Sequence, residues 1–118
     1  MKFKNNKNEH IELNLDDIFN NNGYMNDNDE ENFRENKYVK TIKLTRTKNT
    51  PIKIGSEFLS RCTSLTNIDL SALSNVTQIG NYFLSRCTSL TNIDLSALSN
   101  VTQIGDGFLS ECTSLTNI

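Results

Sequence analysis

Apolar positions follow two regimes along this chain. Before residue 38 they are sparse. His10-Ile11-Glu12-Leu13-Asn14-Leu15 alternates as a half-buried strand should, Ile18-Phe19 add apolar weight, and Tyr24, Met25 and Phe33 stand isolated among Asn and acids. From residue 38 onward they keep a schedule. Tyr38-Val39-Lys40-Thr41-Ile42-Lys43-Leu44 has the spacing of Ser64-Leu65-Thr66-Asn67-Ile68-Asp69-Leu70, with Val39, Ile42 and Leu44 where Leu65, Ile68 and Leu70 stand. From Gly55 a 25-residue unit is written twice, at 55–79 and 80–104, and differs only where Ser56-Glu57 becomes Asn81-Tyr82. A third copy runs over 105–118, and Cys62, Cys87 and Cys112 recur with the unit.

Each unit predicts the same elements. Leu65-x-x-Ile68-x-Leu70 reads as a strand whose last two apolar residues alternate inward. Val76-Thr77-Gln78-Ile79 is a second short extended piece ended by Gly80, and Phe83-Leu84-Ser85-Arg86-Cys87 is apolar at i, i+1 and i+4, which predicts one helical turn. A unit of this length cannot bury its apolar face alone, so neighbours must stack. The fold expected is an α/β repeat: an open right-handed solenoid with a parallel strand ladder and short helical turns. Residues 1–37 read as a polar, Asn-rich, partly disordered N-terminal segment. Within it, 20–37 is a flexible loop too polar to offset its ordering entropy. Residues 38–54 read as a degenerate capping repeat, and 55–118 as the regular array.

Leu65-x-x-Ile68-x-Leu70, then Val76-x-x-Ile79-Gly80, then Phe83-x-x-x-Cys87 together resemble a leucine-rich repeat, and more narrowly the BspA-like (Treponema pallidum type) repeats. The likeness is close over 55–118 and loose over 38–54. Two features depart from the family pattern: the link Ser71-Ala72-Leu73-Ser74-Asn75 is longer than its usual proline-containing one, and the array is short and lacks a terminal cap. The resemblance implies a binding module, since such proteins are typically surface or secreted adhesion and interaction proteins of bacteria and protists. It supplies no catalytic residues.

Composition changes this picture little. Hydrophobic residues are 36% of 118, and the formal net charge of −2 gives no argument for nucleic acid or an anionic membrane. No stretch approaches the ~20 apolar residues of a membrane span. The N-terminus has charges but no apolar core of a secretory signal, which points to the cytoplasm, whereas the family resemblance points to the cell surface or secretion. Three cysteines locked to the repeat suggest packing rather than a disulfide framework or a zinc site, the one histidine being His10 in another region.

The partner-binding candidates are Asn67, Asp69, Asn92, Asp94 and Asn117, which project from the strand face opposite the core, the usual ligand surface of horseshoe repeats. Asp69 and Asp94 stand side by side, unfavourable unless a cation or basic partner intervenes. The plainer reading is a solvated face on which Lys43 offsets Asp69. Tyr82 is a sixth candidate, an exposed aromatic among the positions that vary between copies (Ser56/Glu57, Asn81/Tyr82, Asp106/Gly107, Arg61, Arg86, Glu111). Drift on a tolerant surface accounts for these positions too, and Arg86 and Glu111 are placed to pair across neighbouring copies. Asn75-Val76-Thr77 and Asn100-Val101-Thr102 are glycosylation sequons that matter only in a secretory pathway. The acidic run from Asp27 fails as a calcium loop, with Asn32 and Tyr38 where Gly and Glu are needed. With no convergent acid pair and no nucleophile motif, an enzyme has no residue to start from, and no cofactor is implied. The expectation is an interaction module for a protein partner that the sequence does not identify. The rival is a structural fragment that associates end to end through its uncapped C-terminal coil, where Leu115 and Ile118 lack a neighbour.

Overall fold

Where branched apolar residues alternate with polar ones, the chain forms short strands, and each passage runs in the direction of the one before. The computed structural model describes residues 3–20, 30–48 and 51–116. In chain order the strands are β1 (His10–Asn14), β2 (Thr41–Thr45), β3 (Ile52–Ile54), β4 (Asn67–Asp69), β5 (Val76–Ile79) and β6 (Gln103–Ile104), with a one-turn helix α1 (Leu15–Ile18) after β1. They make two parallel ladders, β1-β2-β4 and β3-β5-β6. In the first, Ile11 faces Ile42 and Ile42 faces Ile68, and all three side chains are buried. The backbone bonding continues past β4, with Thr91 N–H donating to Thr66 O at 3.3 Å and Thr116 N–H to Thr91 O at 3.0 Å. Short 3-10 helices at Ser71–Leu73 and Ser96–Asn100 occupy the long link between the ladders.

The helical turn expected at Phe83–Cys87 (83–87) is not helical. Tyr82, Leu84 and Arg86 have φ of 63°, 57° and 57°, and Glu57, Leu59 and Arg61 repeat the pattern one copy earlier. Left-handed backbone costs an L residue roughly 1–2 kcal/mol, so the three such residues in each of the first two copies, and Leu109 and Glu111 in the third, need compensation. It comes from alternation. Tyr82 N–H reaches forward to Asp106 O, Leu84 N–H back to Phe58 O and Arg86 N–H forward to Ser110 O, so donors that a helix would spend internally join neighbouring copies. The apolar spacing that predicts a helical turn is met instead by a tight turn of alternating left-handed residues.

Side chains stack as the backbone does. Phe3, Phe33, Phe58, Phe83 and Phe108 form a continuous column with successive centroids 5.7–6.1 Å apart, and the last two pairs are stacked nearly parallel, at 10° and 3°. Phe19 meets Phe58 edge-on at 5.1 Å. The glycine column permits this spacing. A Cβ on Gly80 would lie 2.8 Å from the backbone of Gly55, and one on Gly105 would lie 2.8 Å from that of Gly80.

The N-terminal segment contributes more to the core than its composition suggests. Phe3, Ile11, Leu13, Leu15, Ile18, Phe19 and Phe33 are all buried, so the flexible loop expected over 20–37 has packed residues from 33 onward; residues 21–29 of it lie outside the described residues. Residues 38–54, expected to cap the array, are themselves covered, because β1 pairs along their outer edge. Two polar contacts hold this end. Asn36 is fully buried and uses every hydrogen-bonding group: its amide donates to Phe3 O (2.6 Å) and Asn6 O (3.0 Å), and its Oδ1 accepts from Tyr38 and Val39 N–H. Asp16 pairs with Arg46 at 3.1 Å, both side chains being less than a tenth exposed, and accepts from Thr47 N–H, the Thr47 hydroxyl and Lys48 N–H. Burial alone would raise the Asp16 pKa. The hydrogen bonds from Thr47, Lys48 and Arg46 outweigh it and hold the carboxyl at about 2. Among the described residues no helix is long and apolar enough to cross a membrane.

Two measurements follow from this architecture. In Gly80→Ala the added methyl meets backbone rather than a yielding side chain, so urea unfolding should show a loss of about 2 kcal/mol or more, while Ser56→Ala on the exposed turn stays within about 0.5 kcal/mol. Asp16 is depressed below its ordinary value, so its contribution is complete above about pH 4 and disappears as the pH falls through about 2. Wild-type stability should drop by about 2 kcal/mol across that window, and Asp16→Asn should lack this component of the slope.

Candidate functional site

The strand ladder presents its candidates because alternation sends every second residue outward. On β4, Ile68 is buried while Asn67 and Asp69 are exposed; on the next pass Ile93 is buried while Asn92 and Asp94 are exposed. The parallel register carries these positions into β2 and β1. Asn67 faces Thr41, which faces His10, and Asp69 faces Lys43, which faces Glu12. One face therefore bears two polar columns, His10-Thr41-Asn67 and Glu12-Lys43-Asp69, which Asn92 and Asp94 extend. Four of the six sequence candidates share it. Asn117 lies outside the described residues, and Tyr82 sits apart, on the left-handed turn.

Both aspartates have local duties as well. Asp69 Oδ1 accepts from Ser71 N–H and Asp94 Oδ1 from Ser96 N–H, each at 2.9 Å, so each carboxylate opens the 3-10 helix that follows it. These backbone bonds, and those from the serine hydroxyls, hold both carboxyls below the usual range. Lys43 lowers Asp69 further, whereas the neighbouring Asp69 charge pushes the other way on Asp94. Lys43 and Asp69 thus feel each other electrostatically without forming an ion pair among the described residues, and the two acids feel each other as well. His10 Nδ1 lies 2.6 Å from Thr41 Oγ1, which places the first strand in the same surface. The alternation of 10–15 signalled that strand; what sequence reasoning missed was that it continues this face.

Other hydroxyls bind the copies together rather than project from them. Thr66, Thr91 and Thr116 hydroxyls donate to Lys40, Thr66 and Thr91 carbonyls, and Ser64 and Ser89 hydroxyls to those of Lys37 and Thr63. The cysteine column is internal: Cys87 Sγ donates to Leu59 O at 3.4 Å and Cys112 Sγ to Leu84 O at 3.2 Å. All three thiols are free. Burial pushes the Cys62 thiol up to about 12 and raises Cys87 and Cys112 as well.

On the turn side, the varying positions line a cleft of about 320 Å³ formed by Glu57, Arg61, Tyr82, Ser85, Arg86, Ser110 and Glu111. Arg86 pairs with Glu111 on the neighbouring copy, and Arg34 with Glu57. Tyr82 is 46% exposed and rests on the next copy at Gly107, where a Cβ would come within 2.3 Å of its ring. Gly107 thus stands where the earlier copies have Glu57 and Tyr82 because the Tyr82 ring occupies that space.

A family model described as BspA type Leucine rich repeat region, in six copies, matches residues 3–118. The matched span begins inside the polar N-terminal segment, in keeping with the strand pairing of β1. Nothing among curated proteins or solved structures matches the chain.

The thiol environments set an order of reactivity. In the native state at mildly alkaline pH, iodoacetamide followed by peptide mass spectrometry should label Cys112, which is half-buried, well before Cys62 and Cys87; all three should label together in urea. For the aspartates, Asp69→Asn keeps an oxygen acceptor for Ser71 N–H and should leave the urea midpoint unchanged, whereas Asp69→Ala should lower it.

Proposed function

Because the chain belongs to the BspA-type leucine-rich repeat family, a kind of repeat module generally implicated in protein interaction, we propose that it binds a protein partner through its repeated strand face. In this reading the copies stack as an open solenoid, and recognition belongs to the columns His10-Thr41-Asn67-Asn92 and Glu12-Lys43-Asp69-Asp94 together. The observation that supports it is the parallel register, which aligns polar side chains of both charges on one surface while the residues between them are buried. Such a face offers hydrogen-bond donors, acceptors and alternating charge over several strands, the makings of a polar recognition surface. The near-identity of the copies means that no single copy carries a shaped pocket there.

A structural reading is favoured by one specific feature. Ile104 is 52% exposed, and Phe108, Leu109, Cys112 and Leu115 are only partly buried, so the last described copy offers an apolar surface suited to end-to-end association.

The two readings separate in one set of variants. Cross-linked capture with quantitative mass spectrometry should show a protein retained by the wild type and by Ile104→Lys but lost by Asn67→Arg with Asn92→Arg. Light scattering should give the same mass for all three. If mass falls only in Ile104→Lys, and no captured protein depends on Asn67 and Asn92, the association reading replaces the first.

A further inference from the structure

The strand face carries an order of charges as well as a surface. Glu12, Lys43, Asp69 and Asp94 are all exposed and follow one another across adjacent strand passes, so the column reads acid, base, acid, acid. Just before β1 and β2, Glu9 and Lys40 pair with each other at 3.5 Å, and His10 Nε2 lies 3.7 Å from Glu12 Oε2. Lys43, Asp69 and Asp94 form no ion pair among the described residues. The bases Lys40 and Lys43 balance Glu9 and Glu12, so the excess negative charge of the face falls on Asp69 and Asp94. Neighbouring strands lie ~4.8 Å apart, which spreads the column over ~14 Å. An extended peptide crossing the strands presents same-side residues every ~6.7 Å and is out of register after the first. An α-helix presents residues i, i+3, i+7 and i+10 along one stripe at roughly 0, 4.5, 10.5 and 15 Å, within about 1 Å of each strand position. The Asn92-Asn67-Thr41-His10 column is ~7 Å away along the strands, close enough to lie under the same helix, which is ~10 Å wide.

Resting on the strand-face reading, we propose that the partner presents an α-helix laid across the strands, its charges complementary to this column. A base at i stands over Asp94, a base at i+3 over Asp69, an acid at i+7 over Lys43 and a base at i+10 over Glu12. The helix N-terminus lies at Asp94, because the positive end of its dipole then meets the acidic end of the column. Exposed charges contribute little each, and their order selects the partner by setting like against like in every wrong alignment. Lys43 fixes that alignment. A helix slid by one strand toward Asp94 brings its acid onto Asp69, whereas the two aspartates alone do not distinguish one copy from the next. Asn67 and Asn92 offer amide donors and acceptors to the flank of the same helix.

The test titrates the full chain, isotope-labelled, with three blocked alanine-based peptides. The first carries Lys at i, i+3 and i+10 and Glu at i+7. The second has the same composition with Glu moved to i, and the third is the first with a central proline that breaks the helix. The first should shift the amide resonances of Lys43, Asn67, Asp69 and Asp94, with shifts that weaken on adding salt, and should bind more tightly than the other two. Asp69→Asn with Asp94→Asn should weaken it about three- to tenfold while the urea midpoint holds. Lys43→Glu should also weaken it, about two- to fivefold, because Glu then faces Glu. General attraction of a cationic peptide to a more acidic face predicts the opposite sign. The proposal is overturned if the first peptide leaves these resonances unmoved, if the permuted or proline peptide binds equally well, or if Lys43→Glu strengthens binding. Such a result removes the helix alone when capture of a protein still depends on Asn67 and Asn92. Capture that is indifferent to those two residues removes the strand face and the helix with it.

Discussion

Close approach of one backbone circuit to the next is the constraint on which the rest of the structure depends. Strand ladders, the left-handed turn and the hydroxyl bonds each link an atom to its counterpart about one repeat away, so every one of them assumes that copies can come into contact along their whole perimeter. Gly80 and Gly105 make that contact possible where a methyl group would already prop the copies apart. The phenylalanine column then fills the interior at a matching separation, each ring contributing both burial and a stacking interaction of roughly 0.5–1.5 kcal/mol. Neither works alone. Stacked rings without the glycines would meet a splayed backbone, and close backbones over smaller side chains would leave a void.

The turn shows how such a constraint can override local preference. Leu59, Leu84 and Leu109 are not residues that favour positive φ, yet all adopt it with their side chains turned into the interior. Alternating the backbone sense sends successive N–H groups up and down the stack, so the turn becomes a third inter-copy ladder between the two made of strands. A helical turn would have satisfied the same apolar spacing while leaving adjacent copies joined only through side chains on this flank.

Much of this was legible in the residues and some was not. The strand at 76–79 and the buried alternation around Ile68 follow from branched apolar residues at fixed intervals, and the repeat made their parallel pairing a necessity. The exposure of Asn67, Asp69, Asn92 and Asp94 follows from the same alternation. The backbone class of 82–86 was hidden because Leu and Arg carry no signature of left-handed geometry. The contribution of residues 3–19 was obscured by asparagine-rich surroundings, although Phe3 and Phe33 are the first members of the ring column. The cleft could not be read at all: Arg61 and Arg86 are the same residue one period apart, and only Arg86 has an acid, Glu111, at the matching place in the next copy.

The two N-terminal polar contacts acquire a further meaning from the sameness of the copies behind them. Sliding one regular copy into the place of its neighbour would preserve almost every ring, glycine and hydroxyl contact, so those interactions define a spacing without choosing an alignment. Asn36 with Phe3 and Asn6, and Asp16 with Arg46 and Thr47, occur once each and have no counterpart a period later. They index the array. A chain made of interchangeable parts is given its unique threading by the few side chains that cannot be interchanged.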